Sequence, residues 1–560
     1  MLQNQKLDHL RKIMANHNVS GFVLPSSDEF MGEYVPAYGR RLEYLTGFTG
    51  SAGLAIILKD KAAFFTDGRY TLQASKELPK NYEILNTADI KPTDWLKANF
   101  KKGDILAIDP NLHTKDNISK YQNVAQVKYS DNLIDVMWPD RPKKPLSQIF
   151  IYETKYAGRT YTDKLQDIYS FIKQKEADFL MVTAPESICW LLNIRGKDVP
   201  NTPFVLSRLL LDNKKHGILF VDMAENKEIS QYLGSRISIK RLSELPDYLK
   251  QIKNKKILLD KNTAPYFFYE LLSKNNGLVD IVDPCILPKA CKNKVEIKVA
   301  KNVHVKDGKA VASFIKWLKV NYKKQVITEI SAAEKLLEFR RKNKGFIGPS
   351  FDTIAGFAAN GAIVHYRANK ESNKRIAGNN LLLLDSGGQY LGGTTDITRT
   401  IAIGKPTKEQ IRNFTLVLKG HIALARAVFP EGTTGNQLDI LARQYLWQNG
   451  LDYDHGTGHG VGSFLSVHEG PQRISKAYND VPLMEGMILS NEPGYYKPGE
   501  YGIRIENLVL VEKYKGHKVS GTKKFLSFRT LTIAPLDKSL IDFFMLSDEE
   551  KKWVLEYQKK

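Results

Sequence analysis

At 560 residues the chain is too long for one hydrophobic core and should hold two to four domains. Its 42% hydrophobic and 26% charged content is that of an ordinary globular protein, and no apolar run approaches the eighteen or so residues that cross a bilayer. The formal charge of +21 raises nucleic acid or anionic membrane as partners, but the lysines are scattered and no nucleic-acid module accompanies them, so a solvated basic surface is expected, with neither partner.

The opening residues are polar and lack the apolar centre of a secretory signal; LDHLRKIMANHN reads as an amphipathic helix. GFVLP follows as a short strand and LAIILKDKAAFFT as a hairpin. Pro139, Pro142 and Pro145 punctuate the chain, which sets a first domain at 1–145. The second, 146–292, opens the same way, with a helix (TDKLQDIYSFIKQK) and a strand (FLMVT). Its run from Trp190 to Gly196 sits where the first block has Tyr44 to Gly50, so an internal duplication is expected. Three cysteines (Cys189, Cys285, Cys291), none in a CxxC pair, argue against a disulfide framework, and the chain reads as cytoplasmic.

The third block, 293–560, begins with Ile297, Ala300, Val303, Val311, Phe314 and Leu318 on one helical stripe. Ser331 with Glu334, Thr407 with Gln410 and Ser547 with Glu550 have capping-box spacing, and Leu438, Leu441, Ala442 and Tyr445 mark a further helix. LLLLD, DITRTIAI, MILSNEP and IRIENLVLVE read as strands, which makes the block α+β.

Chemistry concentrates in this block. His455, His459 and His468 lie within fourteen residues on a backbone carrying Gly456, Gly458, Gly460 and Gly462. Imidazole is the commonest neutral metal ligand, and glycine lets the backbone come close to a bound group. Asp385 ends the buried run Leu381–Leu384; Gly387 and Gly388 then turn the chain, so that a hairpin should bring Asp396 beside it. Two such acids side by side repel unless a cation intervenes. Glu492 ends the MILS strand, and Glu506 falls on the leucine-bearing face of a strand running from Ile503 to Val511, a poor place for a free carboxylate. Four carboxylates and one imidazole suit a borderline-hard divalent ion, Mn²⁺ foremost, with Zn²⁺, Co²⁺ or Fe²⁺ as competitors. Four negative charges match two dications, and such a pair about 3.5–4 Å apart both generates a nucleophile and stabilises a tetrahedral intermediate.

The order Asp-x10-Asp, His, Glu, Glu resembles the dinuclear metallopeptidases of the pita-bread fold, whose members include methionine aminopeptidase, prolidase and aminopeptidase P. HGTGHGVGSFLSVHEGP, LLLLDSGGQYLGGTTDITRT, MILSNEPGYY and YGIRIENLVLV resemble the aminopeptidase P branch most closely. GSAGLAIILKDKAAFFTDGRYTLQA and ICWLLNIRGKDVPNTP look like the two N-terminal domains of its long, three-domain cytosolic form. The resemblance implies an α+β and α/β multidomain chain: two creatinase-like domains followed by a pita-bread catalytic domain. It implies Asp396 and Glu506 bridging both metals, Asp385 on one, and His459 with Glu492 on the other. Glu492 would also deprotonate a hydroxide-forming water between the metals. His365 and His468 would face the scissile carbonyl and the leaving nitrogen. His455, Phe351, Tyr496 and Arg504 would shape the substrate pocket. Arg367, directly after His365-Tyr366, departs from the pattern and puts local electrostatics in question.

The implied activity is release of the N-terminal residue from peptides with proline second, by a homodimer. The imino nitrogen and locked ring of proline are what demand a dedicated pocket. Two other readings stay open: a prolidase restricted to Xaa-Pro dipeptides, which shares every ligand, and a catalytically inactive peptide-binding protein on the same fold.

Overall fold

The computed structural model describes residues 3–516 and 523–559. The chain divides into two compact units, residues 1–152 with 159–285 and residues 153–158 with 286–560. No helix among the described residues is long and apolar enough to cross a membrane.

In the first unit helix α1 (Gln3–Asn16) buries Leu7, Leu10, Ile13 and Met14, the stripe that its spacing dictates. Strands β1 (Gly21–Pro25), β2 (Leu54–Leu58), β3 (Ala62–Thr66), β4 (Glu83–Asn86), β5 (Ile105–Ile108) and β6 (Gln126–Tyr129) form one sheet in the order β4-β3-β2-β1-β5-β6. Helix α2 (Tyr161–Gln174), capped by Thr160 and Asp163, opens a second set. Its strands are β7 (Phe179–Val182), β8 (Ser207–Asp212), β9 (Gly217–Val221), β10 (Ile237–Lys240), β11 (Lys256–Asp260) and β12 (Gly277–Ile281), ordered β10-β9-β8-β7-β11-β12. The two orders are the same. So is the sense of each pairing: the first strand runs antiparallel to the second and parallel to the fifth in both sheets. The repeat expected from the order of elements is therefore a repeat of topology.

The second unit opens with α3 (Lys294–Asn321), capped by Asn293 and Glu296, which buries Ala300, Val303, Val311, Phe314 and Leu318. Helix α4 (Glu329–Arg341) starts earlier than the sequence suggests. Thr328 is its N-cap, and Ser331 fills the third helical position as the reciprocal partner, rather than capping with Glu334. Strands β13 (Phe346–Pro349), β14 (Ile354–Phe357), β15 (Asn380–Ser386), β16 (Gly388–Tyr390), β17 (Gly393–Thr394) and β18 (Ile397–Ile403) precede helix α5 (Lys408–Ala425), whose Thr407–Gln410 box is present. Strand β19 (Val428–Pro430), helix α6 (Gly435–Trp447), and strands β20 (Gly458–His459) and β21 (Arg473–Ile474) follow. The chain ends with β22 (Ile488–Asn491), β23 (Gly494–Lys497), β24 (Tyr501–Arg504), β25 (Asn507–Lys513), β26 (Phe525–Thr530) and helix α7 (Asp548–Gln558), capped by Ser547 and Glu550. The sheets are β14-β15-β18, β19-β26-β25-β22 and β13-β16-β17, with two-stranded pairs β20-β21 and β23-β24.

Two local departures from the expected strands shape the site. The loop between Asp385 and Asp396 is a nested hairpin, β16-β17, turning at Gly392, whose φ of +99° suits a residue without Cβ. Outside it β15 and β18 still pair, with Asp385 opposite Thr398, and Asp396 stands just before β18. The run from Ile503 to Val511 is not one strand but two. β24 pairs with β23 and β25 with β22, and the paired segment from Ile488 to Lys497 breaks at the same level. Ile505 and Glu506 leave the ladder because their N–H groups find the carbonyls of Pro493 and Thr398. Glu492 and Glu506 are thus the residues at two facing breaks.

Candidate dinuclear metal centre

Five side chains from five stretches converge. Asp385 comes from the buried end of β15, Asp396 from the residue just before β18, His459 from β20, and Glu492 and Glu506 from the facing breaks. Ligand-capable atoms of Asp385, Asp396 and Glu506 lie within 4.8 Å of one another, as do those of His459, Glu492 and Glu506. A third such group holds Asp396, His459 and His468. Shared members link the three groups into a single cluster.

The cluster is crowded with negative charge. His459 Nε2 lies 3.4 Å from both Asp396 Oδ2 and Glu492 Oε1. Burial pushes the Asp385, Glu492 and Glu506 carboxyls upward; nearby carboxylates add to this, with Arg504 opposing. Burial alone would lower the His459 imidazole, but Asp396 and Glu492 outweigh it and raise the group to about 9. Asp385 Oδ1 and Glu506 Oε1 are buried without a hydrogen-bond donor, an expensive arrangement for anions unless a cation meets them. Orphaned carboxylate oxygens, one imidazole nitrogen and excess negative charge fit two divalent cations.

One oxygen each of Asp385, Glu506 and Glu492 is held. Arg504, only 1% exposed, donates through Nη2 to Asp385 Oδ2 at 2.7 Å, through Nη1 to the Tyr496 hydroxyl and through Nε to Thr398 Oγ1. Thr398 donates to Glu506 Oε2 at 2.8 Å, and Ser490 to Glu492 Oε1 at 3.0 Å. The His459 ring is oriented through Nδ1, 2.9 Å from the Gly460 carbonyl, as a ligating histidine requires.

The other expected residues distribute unevenly. His468 stacks edge-on to His459 with ring centroids 4.3 Å apart. His455 Nε2 is 2.8 Å from the Tyr496 hydroxyl, so His455, Tyr496, Arg504 and Asp385 form one hydrogen-bonded series. His365 follows Val364, whose carbonyl accepts from Arg504. Phe351 is buried next to Ser350, which donates to the Thr395 carbonyl. Arg367 pairs with Asp352, both half exposed, so its charge is met locally.

Several supports carried no sequence signal. Asp307, on α3, accepts from Arg340, Tyr390 and Thr395 in the interior, tying the helix to the residue before Asp396. Lys289 reaches Glu469, the neighbour of His468, at 3.2 Å with both side chains buried. A lone acid in a helix or a lysine near a boundary looks like surface until its partner is known.

Residues 298–513 match the profile of Metallopeptidase family M24, and 524–560 that of the C-terminal region of peptidase M24. The Creatinase/Prolidase N-terminal domain matches twice, at 6–137 and 140–296. A Laccaria bicolor protein named "Probable Xaa-Pro aminopeptidase P" is 40% identical, covering 99% of this chain and 89% of its own. The chain belongs to metallopeptidase family M24. A Coccidioides posadasii protein of the same name is 38% identical over 99% of this M24 chain and 94% of its own. Among solved structures, the X-prolyl aminopeptidase of Caenorhabditis elegans, described as a cytosolic enzyme with a di-nuclear active site, superposes with a TM-score of 0.94 at 33% identity. That match covers 100% of this chain and 95% of the other. The two N-terminal matches coincide with the two sheets of like topology, so the M24 chain carries two creatinase-like domains before its pita-bread domain.

Proposed function

We propose that this chain is a metal-dependent Xaa-Pro aminopeptidase, releasing the N-terminal residue from peptides with proline second. The observation that carries the reading is the convergence of Asp385, Asp396, His459, Glu492 and Glu506 with two buried carboxylate oxygens left unmet. Full-length likeness to proteins named for this activity supports it.

Two cations would be held by Asp385, Asp396, His459, Glu492 and Glu506, with Asp396 and Glu506 shared between them, Asp385 serving one, and His459 with Glu492 the other. Mn²⁺ is the ion we assign. When bound, the two ions supply a Lewis acid for the scissile carbonyl and a water acidic enough to attack near neutral pH. Glu492 takes the proton, since its carboxylate is fixed by Ser490 through one oxygen and lies beside His459 through the same edge. We assign His468, which lies against His459, to deliver a proton to the leaving imino nitrogen, and His365 to hydrogen-bond the carbonyl oxygen. His455 and Phe351 wall the proline ring. Arg504 and Tyr496 act on substrate through Asp385 and His455, because their polar atoms are already committed to those groups. We assign the chain to the cytoplasm as a homodimer, with the domain divisions near 145 and 292.

Prolidase is separated by substrate length. With Mn²⁺ present, Ala-Pro-Ala should be cleaved at least tenfold faster in kcat/KM than Ala-Pro. Cleavage of the dipeptide alone would replace this reading with prolidase, and inactivity on both would favour a binding protein.

A further inference from the structure

Asn491 and Asn507 are the last cross-strand pair of β22 and β25 before both strands break. The next residue outward from each is a glutamate of the cluster, Glu492 on one strand and Glu506 on the other. Both asparagines are gripped by one residue of helix α5. The Asn491 amide donates to the main-chain carbonyl of His421 at 2.9 Å. The Asn507 amide nitrogen lies 3.0 Å from the ring Nε2 of the same His421.

The direction of the second bond follows from the other end of Asn507. Its Oδ1 accepts from Arg399 Nη2 at 2.8 Å and lies 3.0 Å from the Tyr557 hydroxyl on α7. The amide nitrogen therefore faces His421 and donates, and Nε2 must be the unprotonated acceptor. Burial, then the nearby Arg399 charge, lowers the imidazole to about 3, so it is neutral under working conditions. Arg399 also donates through Nη1 to the main-chain carbonyl of Glu506 at 2.6 Å. None of these groups reaches the ligand oxygens directly.

We propose that His421, acting through Asn491 and Asn507, is a positioning residue that sets Glu492 and Glu506 at the separation two cations require. This rests on the dinuclear reading above. A carboxylate shared between two ions tolerates little displacement, and both glutamates hang on a backbone that has left its ladder. One rigid helix gripping the last paired residue of each strand fixes the two together. Groups that hold ligands in this indirect way typically change metal affinity by roughly ten- to a hundredfold when lost.

The test is calorimetric titration of metal-stripped protein with Mn²⁺, beside kcat and KM on Ala-Pro-Ala, for wild type, His421→Leu and His421→Gln. Leucine removes the acceptor, while glutamine offers an amide oxygen in its place. The expectation is two Mn²⁺ per wild-type chain, at least tenfold weaker uptake and a fall in kcat at little-changed KM for His421→Leu, and recovery to within about threefold for His421→Gln. Uptake by the leucine variant within threefold of wild type overturns the proposal, as does a glutamine variant no better than leucine. If His421→Leu does not fold, Tyr557→Phe decides: weakening of threefold or more supports the clamp, and unchanged affinity overturns it. A wild-type chain that takes up no Mn²⁺ sinks the dinuclear reading and the clamp with it. Wild-type uptake with unaltered variants sinks only the clamp.

Discussion

Arg504 shows how much of the site is decided by single donors. It is buried, and its guanidinium neutralises Asp385 while also holding Tyr496 and Thr398. Replacing it by methionine leaves an uncompensated buried carboxylate, a change that costs about 3–5 kcal/mol. Arg504→Met should therefore lower the melting temperature of the metal-free protein, and Mn²⁺ should restore more of the loss than it adds to wild type, since a cation then meets Asp385. Thermal unfolding with chelator and with Mn²⁺ measures both; an equal Mn²⁺ increment in the two proteins would contradict the pairing. At this scale the cluster was legible in the sequence, because acids at the ends of apolar runs and a histidine between glycines are locally anomalous. The residues that brace them were not. His421 sits in the apolar-periodic stretch of α5 and Asp307 in that of α3, and only their distant partners distinguish them from core filler and solvent face. Arg367 was visible as an anomaly, and its partner Asp352, fifteen residues back, removes it.

Elements set the distances. Strand β20 is held against β22 so closely that a Cβ on Gly458 would stand 2.0 Å from the Ser490 carbonyl oxygen, well inside contact with a group that cannot rotate away. Gly458→Ala must push β20 outward and carry His459 with it. The expected result is at least tenfold weaker Mn²⁺ binding with the fold retained, read by calorimetry and circular dichroism. Helix α3 is joined to the hairpin before Asp396 by Asp307, which accepts from Tyr390 and Thr395 and pairs with Arg340 of α4, both charged side chains being buried. Asp307→Ala strands that arginine, and unfolding of the second unit should be easier by about 3–5 kcal/mol in denaturant titration. Helices were the more readable elements: stripes and caps at Thr407 and Ser547 are local features, and both caps are present. The breaks at Glu492 and Glu506 were not readable, because Ile503 to Val511 alternates like one strand and carries neither glycine nor proline to end it. What ends the ladder there is a bond to Thr398, more than a hundred residues away.

For the whole molecule, the repeated sheet topology of the first unit and the catalytic unit that follows explain why one chain carries four family matches in series, two creatinase-like and two of M24. The repeat of topology was legible because the order of elements is the same in both blocks. Within the first unit His113 is fully buried, and desolvation lowers its imidazole to about 4 from 6.5. Its neutral form is favoured by folding, so that contribution is complete above pH 6.5 and is lost as pH falls from there toward 4, at about 1.4 kcal/mol per pH unit. His113→Phe keeps an apolar ring at the site and removes the titration. The stability difference between wild type and this variant should be flat above pH 6.5 and move against wild type below it. A difference independent of pH between 4 and 6.5 would show that the imidazole is not held neutral.

The central claim is that distant strand ends assemble a pair of cations. The most direct measurement is Mn²⁺ titration of metal-stripped protein, following bound metal and Ala-Pro-Ala cleavage together, beside Asp396→Ala. The account predicts activity rising to saturation at two ions per wild-type chain, and essentially none in the variant at any Mn²⁺ concentration. Saturation at zero or one ion, or an Asp396→Ala protein that binds two ions and cleaves like wild type, would contradict it.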